Sequence, residues 1–451
     1  MPKYFIDTFG CQMNFHDAER MAGLLEADGY TPARDERGAD VVVVNTCSVR
    51  ERAVDKLYSR LGEVRQAVAD RPTKPVIVVA GCVAQQEGNR LFARDASIDV
   101  VVGTQRLKDL PSLVGAAAGG RVGVMDISPH DDLSFPLGFI KRSDPVRAWV
   151  TIIEGCNEFC AFCVVPRTRG QERMRPTRDI LADVESAVAG GRREIQLLGQ
   201  IVNHYRAPDD GGCDFAELLR KVSAVPGVLR VRFASPHPRH VNARMIHAVA
   251  SLPQVCKHLH LPVQSGSDRM LAAMRRRHTR ADYLALVDRL RAAVPGIALS
   301  TDLIVGFPGE TEADFAATLD LIRAVRFHAI YSFKYSPRPG TLAIKRMPDD
   351  VPEGEKARRI LALQRLQAEI QMEWHERAVS TETDVLVDTL SRRRTSEVAG
   401  RTSGNTVVNF PGAASLIGRL VRVRITQAAP NSLRGVLADV PAPEARVAVP
   451  C

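Results

Sequence analysis

A tight group of metal-binding residues lies in the stretch EGCNEFCAFCVVP, residues 154–166. Cys156, Cys160 and Cys163, here called the loop triad, have the spacing Cys-x-x-x-Cys-x-x-Cys, compact enough to surround one metal centre. Iron–sulfur clusters normally take four thiolates, and structural zinc sites close with four protein ligands. The triad therefore predicts either a cluster with one iron open to a non-protein ligand, or a zinc ion with a remote fourth ligand.

Three more cysteines recur at corresponding points of a strand–helix repeat. Cys11, Cys47 and Cys82, here called the N-terminal triad, each stand where a predicted strand ends, in DTFGCQMN, NTCSVRE and AGCVAQQEG. In an open α/β sheet the carboxyl ends of neighbouring strands share one crevice, and helix N-termini there favour anionic groups. The repetition favours a second metal site over three unrelated buried cysteines, a common fate for this residue. Cys213, Cys256 and Cys451 have no partner at ligand spacing and are interpreted as bystanders.

The composition of the 451 residues is that of an ordinary soluble globular protein, 45% hydrophobic and 25% charged. No stretch approaches the roughly 18 apolar residues of a membrane span, and Asp7 interrupts any signal-like start, so we expect a cytoplasmic protein. Nine cysteines in such a compartment favour metal binding or catalysis over disulfides. The net charge of +9 fits a polyanionic partner and a plain solvated surface equally well.

The first part of the chain alternates short β-branched runs with helical patterns, which predicts a doubly wound α/β domain over residues 1–120. A helix is expected at 52–68, and a Gly/Ala/Pro-rich linker at 121–141. The strand candidates are KYFIDT (3–8), VVVVN (41–45), VIVVA (76–80) and VVVG (100–103).

Residues 142–376 repeat the strand–helix unit six times, which predicts a partial (βα)6 barrel with its active site at the carboxyl ends of the strands. The loop triad follows the first of these strands. The strand candidates are 148–153, 194–199, 228–235, 257–263, 296–306 and 328–336.

A long helical pattern through Ile360 and Ile370 leads into an all-β region at 377–445. In LVRVRIT, Val421, Val423 and Ile425 alternate with arginines, and a Ser-Gly pair in RTSGNTVVNF predicts a hairpin. A small five-stranded barrel fits this pattern. Such barrels often bind oligonucleotides, although many bind nothing.

The loop triad on the first strand of a βα barrel resembles the radical S-adenosylmethionine (SAM) superfamily. That resemblance implies that the amino and carboxylate groups of SAM chelate the open iron. It also implies that one electron from the cluster cleaves SAM to a 5′-deoxyadenosyl radical, chemistry that side chains cannot supply. The missing fourth ligand is then the cosubstrate.

Eight motifs together resemble the MiaB type of methylthiotransferase, in the order methylthiotransferase domain, radical-SAM core, TRAM domain. The resemblance covers essentially the whole chain. It implies addition of a methylthio group to carbon 2 of an isopentenylated adenosine beside the tRNA anticodon. The motifs are TFGCQMN, NTCSVRE, GCVAQQEG, EGCNEFCAFCVVPRTRG, LPVQSGSDRML, STDLIVGFPGET, YSPRPGT and NSLRG.

Two related activities are alternatives: methylthiolation of threonylcarbamoyl-adenosine in tRNA, and of a ribosomal-protein aspartate. Their first motifs usually read Gly-Cys-Lys and Gly-Cys-Pro-Lys-Asn, where this chain has Gly10-Cys-Gln-Met-Asn14. A rival from another class is an RNA-binding protein whose cysteines hold structural zinc.

The resemblance implies two [4Fe–4S] clusters, one on each triad, and no catalytic side chain beyond their ligands. The loop triad would serve radical formation and the N-terminal triad would carry the sulfur, with SAM acting as methyl donor and as radical source. The implied partners are a tRNA anticodon stem-loop and an electron donor such as flavodoxin or ferredoxin. We expect a monomer and no membrane.

Strand ends of the barrel offer further candidate contacts to SAM. They are Gln200, Ser235, Gln264, Ser265 and Gly306. Two nearby stretches depart from the family pattern, since Ile201 replaces a usual Asn and Ala234 stands where a Thr-Ser type is more usual.

Arginines are the predicted phosphate contacts, with a solvated basic face as the alternative for each. The arginines are Arg167, Arg169, Arg173, Arg175, Arg178, Arg275, Arg276, Arg277 and Arg280 in the barrel, and Arg392, Arg393, Arg394, Arg422 and Arg424 in the C-terminal part.

Phe159 and Phe162 are interpreted as a shield of the cluster against water, with stacking on the target base as the alternative.

The cysteine interpretation makes a simple prediction. Protein purified without oxygen should be brown if the triads hold iron–sulfur clusters, and colourless if they hold zinc. Removal of Cys160 should abolish catalysis and leave RNA binding near normal, as measured by tRNA gel shift. Broad unfolding of that variant would instead indicate a structural metal.

Overall fold

The computed structural model describes residues 1–48, 53–129, 140–391, 394 and 396–438. Arg392, Arg393 and Cys451 lie outside these ranges, as do residues 130–139 of the predicted linker. Within them the chain forms a parallel α/β sheet, a partial barrel of six parallel strands, and a small closed β-barrel. This architecture confirms the predicted fold class. In the described ranges no helix is both long and apolar enough to cross a bilayer.

The N-terminal domain is a six-stranded parallel sheet with helices on both faces. Val41 and Val43 pack into one apolar cluster, and Val42 and Val44 into another on the opposite face. Burial on both faces explains why the strands are continuous apolar runs. The strands are β1 (Lys3–Phe9), β2 (Thr31–Pro32), β3 (Val41–Thr46), β4 (Val76–Gly81), β5 (Val100–Val102) and β6 (Val124–Asp126). The helices are α1 (Gln12–Ala27), α2 (Ala53–Ala67), α3 (Cys82–Glu87), α4 (Arg90–Arg94) and α5 (Leu110–Ala118).

The sheet order is β2-β1-β3-β4-β5-β6, and the four predicted strands form its centre. The edge strands β2 and β6 were not predicted, because Thr31–Pro32 contains a proline and Val124–Asp126 ends in a charged residue, so neither is a β-branched run. β6 pairs with β5, with Val124 opposite Val100, so the sheet extends past residue 120, where the linker was predicted to begin.

The barrel domain contains the six predicted parallel strands, arranged as β7-β10-β11 and β12-β13-β14. A bridge between Val231 and Val255 joins the two halves. A large apolar cluster fills the domain, and a smaller one lies around Ala161. The strands are β7 (Arg147–Thr151), β8 (Ile153–Glu154), β9 (Arg173–Met174), β10 (Glu194–Leu198), β11 (Arg230–Phe233), β12 (His258–His260), β13 (Ala298–Val305) and β14 (Ala329–Lys334).

The helices between these strands bury one face, as Ile180, Val184 and Ala187 do. Thr311 begins one of them with a capping box. The helices are α6 (Val165–Thr168), α7 (Thr177–Ala189), α8 (Phe215–Ser223), α9 (Ala243–Ser251), α10 (Asp268–Ala273), α11 (Arg280–Ala293), α12 (Glu312–Val325), α13 (Leu342–Arg346) and α14 (Glu353–Ala378). Short 3-10 helices lie at Glu36–Gly38, Leu107–Asp109, Val202–His204, Pro238–His240 and Ala414–Leu416.

The C-terminal barrel is closed in the order β15-β16-β17-β19-β18. Its predicted hairpin at Ser403-Gly404 joins two antiparallel strands, and Val423 and Ile425 face its apolar centre. The strands are β15 (Glu382–Leu390), β16 (Glu397–Thr402), β17 (Val407–Pro411), β18 (Leu420–Ala429) and β19 (Ser432–Leu437).

The hairpin of the C-terminal barrel closes the amino-terminal end of the barrel domain. Arg232, on β11, donates to the carbonyl of Thr402 at 2.6 Å, and the backbone N–H of Lys257 donates to Ser403 Oγ at 2.8 Å. Glu194, at the start of β10, is buried and pairs with Arg147 at 2.6 Å and with Arg232 at 2.8 Å. The open end of the barrel is therefore the carboxyl end.

Loss of Glu194 is expected to destabilise this closed end. Burial raises the pKa of Glu194, but Arg232 and Arg147 outweigh it and lower the pKa to about 2. Because the folded pKa lies below that of an unfolded glutamate, the pairing stabilises at neutral pH and is lost as pH falls from about 4.3 toward 2. Glu194→Gln should cost about 3–5 kcal/mol at pH 7, measured by urea denaturation, and the difference from the parent should shrink in acid.

The matched control is Asp320→Asn, which breaks a pair with Arg323 on an exposed face of α12. Surface pairs contribute less than about 1 kcal/mol, so this variant should unfold like the parent. Equal stability of Glu194→Gln and Asp320→Asn would contradict the assigned role of Glu194.

Candidate metal centre and adjoining cavity

The sheet brings the N-terminal triad together at the carboxyl ends of three neighbouring strands. Thr46 pairs with Phe9 on one side and with Gly81 on the other, so Cys47 and Cys82 follow immediately from adjacent, aligned strand ends. Cys11 comes two residues after β1 and caps α1. The Cys47 thiol hydrogen-bonds to Cys11, and Cys82 is close enough to Cys11 for the two to interact electrostatically.

Two asparagines fix the loops that carry this triad. Asn14 Oδ1 accepts from Cys11 Sγ at 3.4 Å, and Asn45 Nδ2 donates to the carbonyl of Asn14 at 2.7 Å. Gly81 has φ +89°, and a Cβ there would lie 2.4 Å from Asn45 Oδ1. Neither asparagine has a predicted role of its own. The signal for Asn45 was a polar residue at the end of an otherwise apolar run.

The electrostatics of the N-terminal triad favour thiolate at one position. The hydrogen bond from Cys47 lowers the pKa of Cys11 to about 6, and the nearby charge of Arg169 contributes to the same effect. Burial raises the pKa of Cys82, against the opposing influence of Arg169. A buried guanidinium near the thiols of Cys11 and Cys82 matches the net negative charge of a thiolate-ligated cluster.

The loop triad lies in a loop that is held from several sides. Antiparallel β8 and β9 close its base, where the N–H of Cys156 donates to the carbonyl of Gly170 at 3.2 Å. Further along, the N–H of Ala161 donates to the carbonyl of Met274 at 3.0 Å, and its carbonyl accepts from Ala343 at 2.8 Å. Ala161 is fully buried, so the middle of the loop is anchored in apolar packing.

The surroundings of the loop triad fit a metal cluster held by thiolate sulfur. Burial raises the pKa of Cys156 to about 11 and that of Cys163 to about 12, so deprotonation there requires a bound cation. The N–H of Glu158 donates to Cys156 Sγ, and Arg276 Nη1 donates to Cys160 Sγ, each at 3.5 Å. Arg276 Nε is buried without a hydrogen-bond partner, which leaves it a donor for such a group.

The donor geometry also bears on the zinc alternative. Among the described residues, no three His, Cys, Asp or Glu side chains lie close enough together to hold one metal ion.

Buried ion pairs join the two triads. Asp17 on α1 pairs with Arg169, just after α6, at 2.6 Å, and Arg20 pairs with Glu154, just before the cysteine loop, at 3.0 Å. Helix α3, which begins at Cys82, packs against α6. The two triads therefore belong to one interface between the domains.

A cavity of about 270 Å³ adjoins the loop triad at the carboxyl end of the barrel. Cys163, Phe162 and Gln264 line it, with Asp302 and Lys334 on neighbouring strands. Asp302 and Lys334 were missed by the sequence analysis, although Asp302 is a charged residue inside the apolar strand IALSTDLIVG. A largely apolar cavity with a few polar side chains, next to the cysteines, suits a small nucleoside-like ligand that has both apolar and polar parts.

The five predicted SAM contacts fall into two groups by their surroundings. Gln264, with φ +78°, faces the cavity beside Cys163, and Gln200 Oε1 is buried without a hydrogen-bond partner. Ser235 has φ +56° at the end of β11. These three stay predictions.

Ser265 and Gly306 are engaged in internal packing. The Ser265 hydroxyl accepts from the N–H of Ser267 at 3.2 Å. The N–H of Gly306 donates to Glu310 Oε2 at 2.6 Å, and a Cβ at Gly306 would lie 2.3 Å from Lys356 Cγ. Both positions take part in turn formation and packing, and as SAM contacts they stay predictions.

A stacked histidine pair, also missed from the sequence, anchors the cysteine loop. The rings of His204 and His240 lie 4.4 Å apart, and His240 Nε2 is 2.8 Å from Glu158 Oε1 within the loop. Phe159 beside it is 52% exposed, whereas Phe162 packs against the apolar cluster around Ala161. Shielding therefore suits Phe162, and the exposed ring of Phe159 is available for stacking.

Several predicted phosphate contacts are corrected by the structure. Arg169, Arg175 and Arg276 are buried: Arg169 pairs with Asp17, Arg175 with Asp183 at 2.8 Å, and Arg276 reaches Cys160. In the sequence these three arginines stand in the same basic stretches as the exposed ones. Their burial could therefore not be predicted from the sequence. The exposed members of the set are Arg167, Arg178, Arg275 and Arg277.

Three arginines of the C-terminal barrel that were predicted to contact phosphate form ion pairs within the barrel. Arg422 and Arg424 are half exposed and both pair with Glu382, on the neighbouring strand β15. Arg394 pairs with Glu397 at 3.2 Å.

Comparison with known proteins gives three family matches along the chain. Residues 3–103 match Uncharacterized protein family UPF0004, residues 150–322 the Radical SAM superfamily, and residues 376–438 the TRAM domain. The full chain is similar to proteins named tRNA-2-methylthio-N(6)-dimethylallyladenosine synthase. The one from Sorangium cellulosum is 46% identical over 99% of this chain and 95% of the relative. That from Acidithiobacillus ferrooxidans is 46% identical over 100% of both.

Solved structures support the fold at low identity. The radical S-adenosylmethionine methyltransferase TsrM from Kitasatospora setae superposes with a TM-score of 0.58 and 15% identity, covering 84% of this chain and 79% of that one. The cobalamin-dependent S-adenosylmethionine radical enzyme OxsB gives a TM-score of 0.53 and 12% identity, covering 81% of this chain and 56% of that one.

The tight base of the cysteine loop gives a test of the loop triad. Gly155 has φ +81°, and a Cβ there would lie 2.0 Å from the carbonyl oxygen of Gln171. Gly155→Ala should displace the loop and lower the iron bound per chain to the level of Cys160→Ala, measured by iron and acid-labile sulfide analysis. Gly211→Ala, in open space without a positive φ, is the control and should bind iron like the parent. Parental iron content in Gly155→Ala would show that the loop geometry does not govern cluster binding.

Proposed function

The chain belongs to the family of tRNA-2-methylthio-N(6)-dimethylallyladenosine synthases, and from this membership we propose that it adds a methylthio group to carbon 2 of isopentenyl-adenosine beside the tRNA anticodon. Its relatives are radical SAM enzymes, and membership of that superfamily implies a [4Fe–4S] cluster and SAM. The observation that carries the proposal is the presence of two three-cysteine sites at one interface, where α3 packs against α6.

The reaction needs chemistry beyond side-chain acids and bases. Carbon 2 of adenine bears an unactivated C–H bond with no acidic proton, so general acid–base catalysis has little to act on. A cluster on the loop triad supplies, when bound, the electron that cleaves SAM into a radical able to take that hydrogen.

We assign the second cluster, which carries the sulfur, to the N-terminal triad. Aligned strand ends hold Cys47 and Cys82 in place, and Cys11 caps the first helix beside them. SAM would act both as methyl donor and as radical source, and the contact between α3 and α6 supports delivery from one site to the other over a short path.

The residues of the barrel mouth position the reactants. Gln264 and Asp302 offer amide and carboxylate groups to SAM in the cavity beside Cys163. The exposed ring of Phe159 offers a stacking surface to a base splayed out of the anticodon loop. Because the C-terminal barrel closes the other end of the barrel domain, the base enters from the carboxyl end.

The partners follow from the family. The TRAM domain match supports RNA binding, and the proposed substrate is a tRNA anticodon stem-loop. An electron donor such as flavodoxin or ferredoxin, a monomeric state and a cytoplasmic location stay predictions.

Nucleoside mass spectrometry tests the proposed reaction. In a host that lacks its own such enzyme, expression of this chain should make 2-methylthio-isopentenyladenosine appear in tRNA and the isopentenyl precursor fall. Cys160→Ala should abolish the product, because the loop triad then lacks a ligand. Cys213→Ala is the matched control, since Cys213 is a buried cysteine of the same domain outside either triad, and should retain product.

An unmodified precursor in cells whose protein carries assembled clusters would overturn the assignment. The methylthio group would then be sought on threonylcarbamoyl-adenosine and on ribosomal-protein aspartate, the two alternative substrates.

A further inference from the structure

Arg169 belongs to the barrel domain in sequence and to the N-terminal site in space. It follows α6, six residues after Cys163, and its side chain is 5% exposed. Its guanidinium pairs with Asp17 at 2.6 Å, and it lies close enough to Cys82 and Cys11 to interact with their charges, at the place where α3, which begins at Cys82, packs against α6. The N-terminal triad is therefore faced by a cation that its own domain does not supply.

Both domains hold the backbone of Arg169 in place. Its N–H donates to the carbonyl of Val165 at 2.8 Å, and its carbonyl accepts from Gln105 Nε2, in the N-terminal domain, at 2.9 Å. The next residue, Gly170, has φ +77°, and a Cβ there would lie 2.4 Å from Gln105 Nε2. The position of the guanidinium is thus set by the docking of the two domains.

Arg169 ends a chain of buried charges. Asp17 lies between Arg169 and Arg20, and Arg20 pairs in turn with Glu154. All four side chains are at least nine-tenths buried. Among the described residues Asp17 is the carboxylate that pairs with Arg169, and a guanidinium carries more N–H donors than this pair uses.

We propose that Arg169 is a positioning and charge-stabilising residue of the N-terminal cluster, contributed across the domain boundary. Its N–H groups hydrogen-bond to the cluster's sulfur ligands, and its charge raises the reduction potential of that cluster. Hydrogen bonds to sulfur and nearby positive charge both favour the more negative, reduced state. This inference rests on the proposed second cluster, and it makes the sulfur-carrying site complete only when the two domains are docked.

The test uses the full chain with the loop triad replaced by alanine, so that one cluster is left. The reduction potential of that cluster is measured by potentiometric titration followed by electron paramagnetic resonance. Arg169→Gln should shift the potential to more negative values, because a cation is lost. Asp17→Asn should shift it to more positive values, because the counter-charge to Arg169 is lost. Arg169→Lys should restore part of the shift, since it keeps the charge and loses the planar fork.

The control is Arg167→Gln, an exposed arginine two residues away, which should leave the potential unchanged. If Arg169 had a purely structural role, Arg169→Gln and Asp17→Asn would shift the reduction potential in the same direction or leave it unchanged. Either result overturns the inference. If Arg169→Gln fails to fold, Asp17→Asn and Arg169→Lys carry the same test. If the parent of this series, which lacks the loop triad, binds no iron, the second cluster and this inference are overturned together. If it binds iron and the variants leave the reduction potential unchanged, the inference alone is overturned.

Discussion

The structure depends on a buried ion-pair network between the first helix and the segments that flank the cysteine loop. Asp17, Arg20, Glu154 and Arg169 are almost fully excluded from solvent. Charges buried in this way are costly unless they are paired, and removal of one partner leaves the other uncompensated. Separation of the two domains would expose or unpair all four, so the network fixes where the α/β sheet sits on the barrel. The position of one cysteine triad relative to the other follows from that docking.

The second constraint comes from the opposite end of the barrel. Glu194, Arg147 and Arg232 tie the strand starts to the hairpin of the C-terminal barrel, so one end of the barrel domain is closed. The cysteine loop and the cavity beside Cys163 occupy the other end. An enzyme that must take a base out of an RNA loop needs such an opening next to its cofactors, with water kept from the closed side.

The elements and both triads could be predicted because their signals are local. A buried parallel strand is visible in the sequence as a run of β-branched residues. When a cysteine follows each of three such runs, formation of the sheet is enough to bring the three cysteines together. The fate of individual arginines could not be predicted, because it depends on partners far away in sequence. Arg169 pairs with Asp17 from another domain, whereas Arg167, two residues earlier, stays exposed. Gly306 stays a predicted SAM contact, and it also makes room for Lys356, a contact that no local pattern encodes.

The central claim is that the two triads hold two clusters side by side at one interface. Electron paramagnetic resonance of the fully reduced protein tests it most directly, with variants that keep either triad alone as references. The account predicts magnetic coupling between the clusters, seen as broadening or splitting absent from the sum of the two single-cluster spectra. A spectrum equal to that sum would contradict the claim and would place the clusters too far apart for one site.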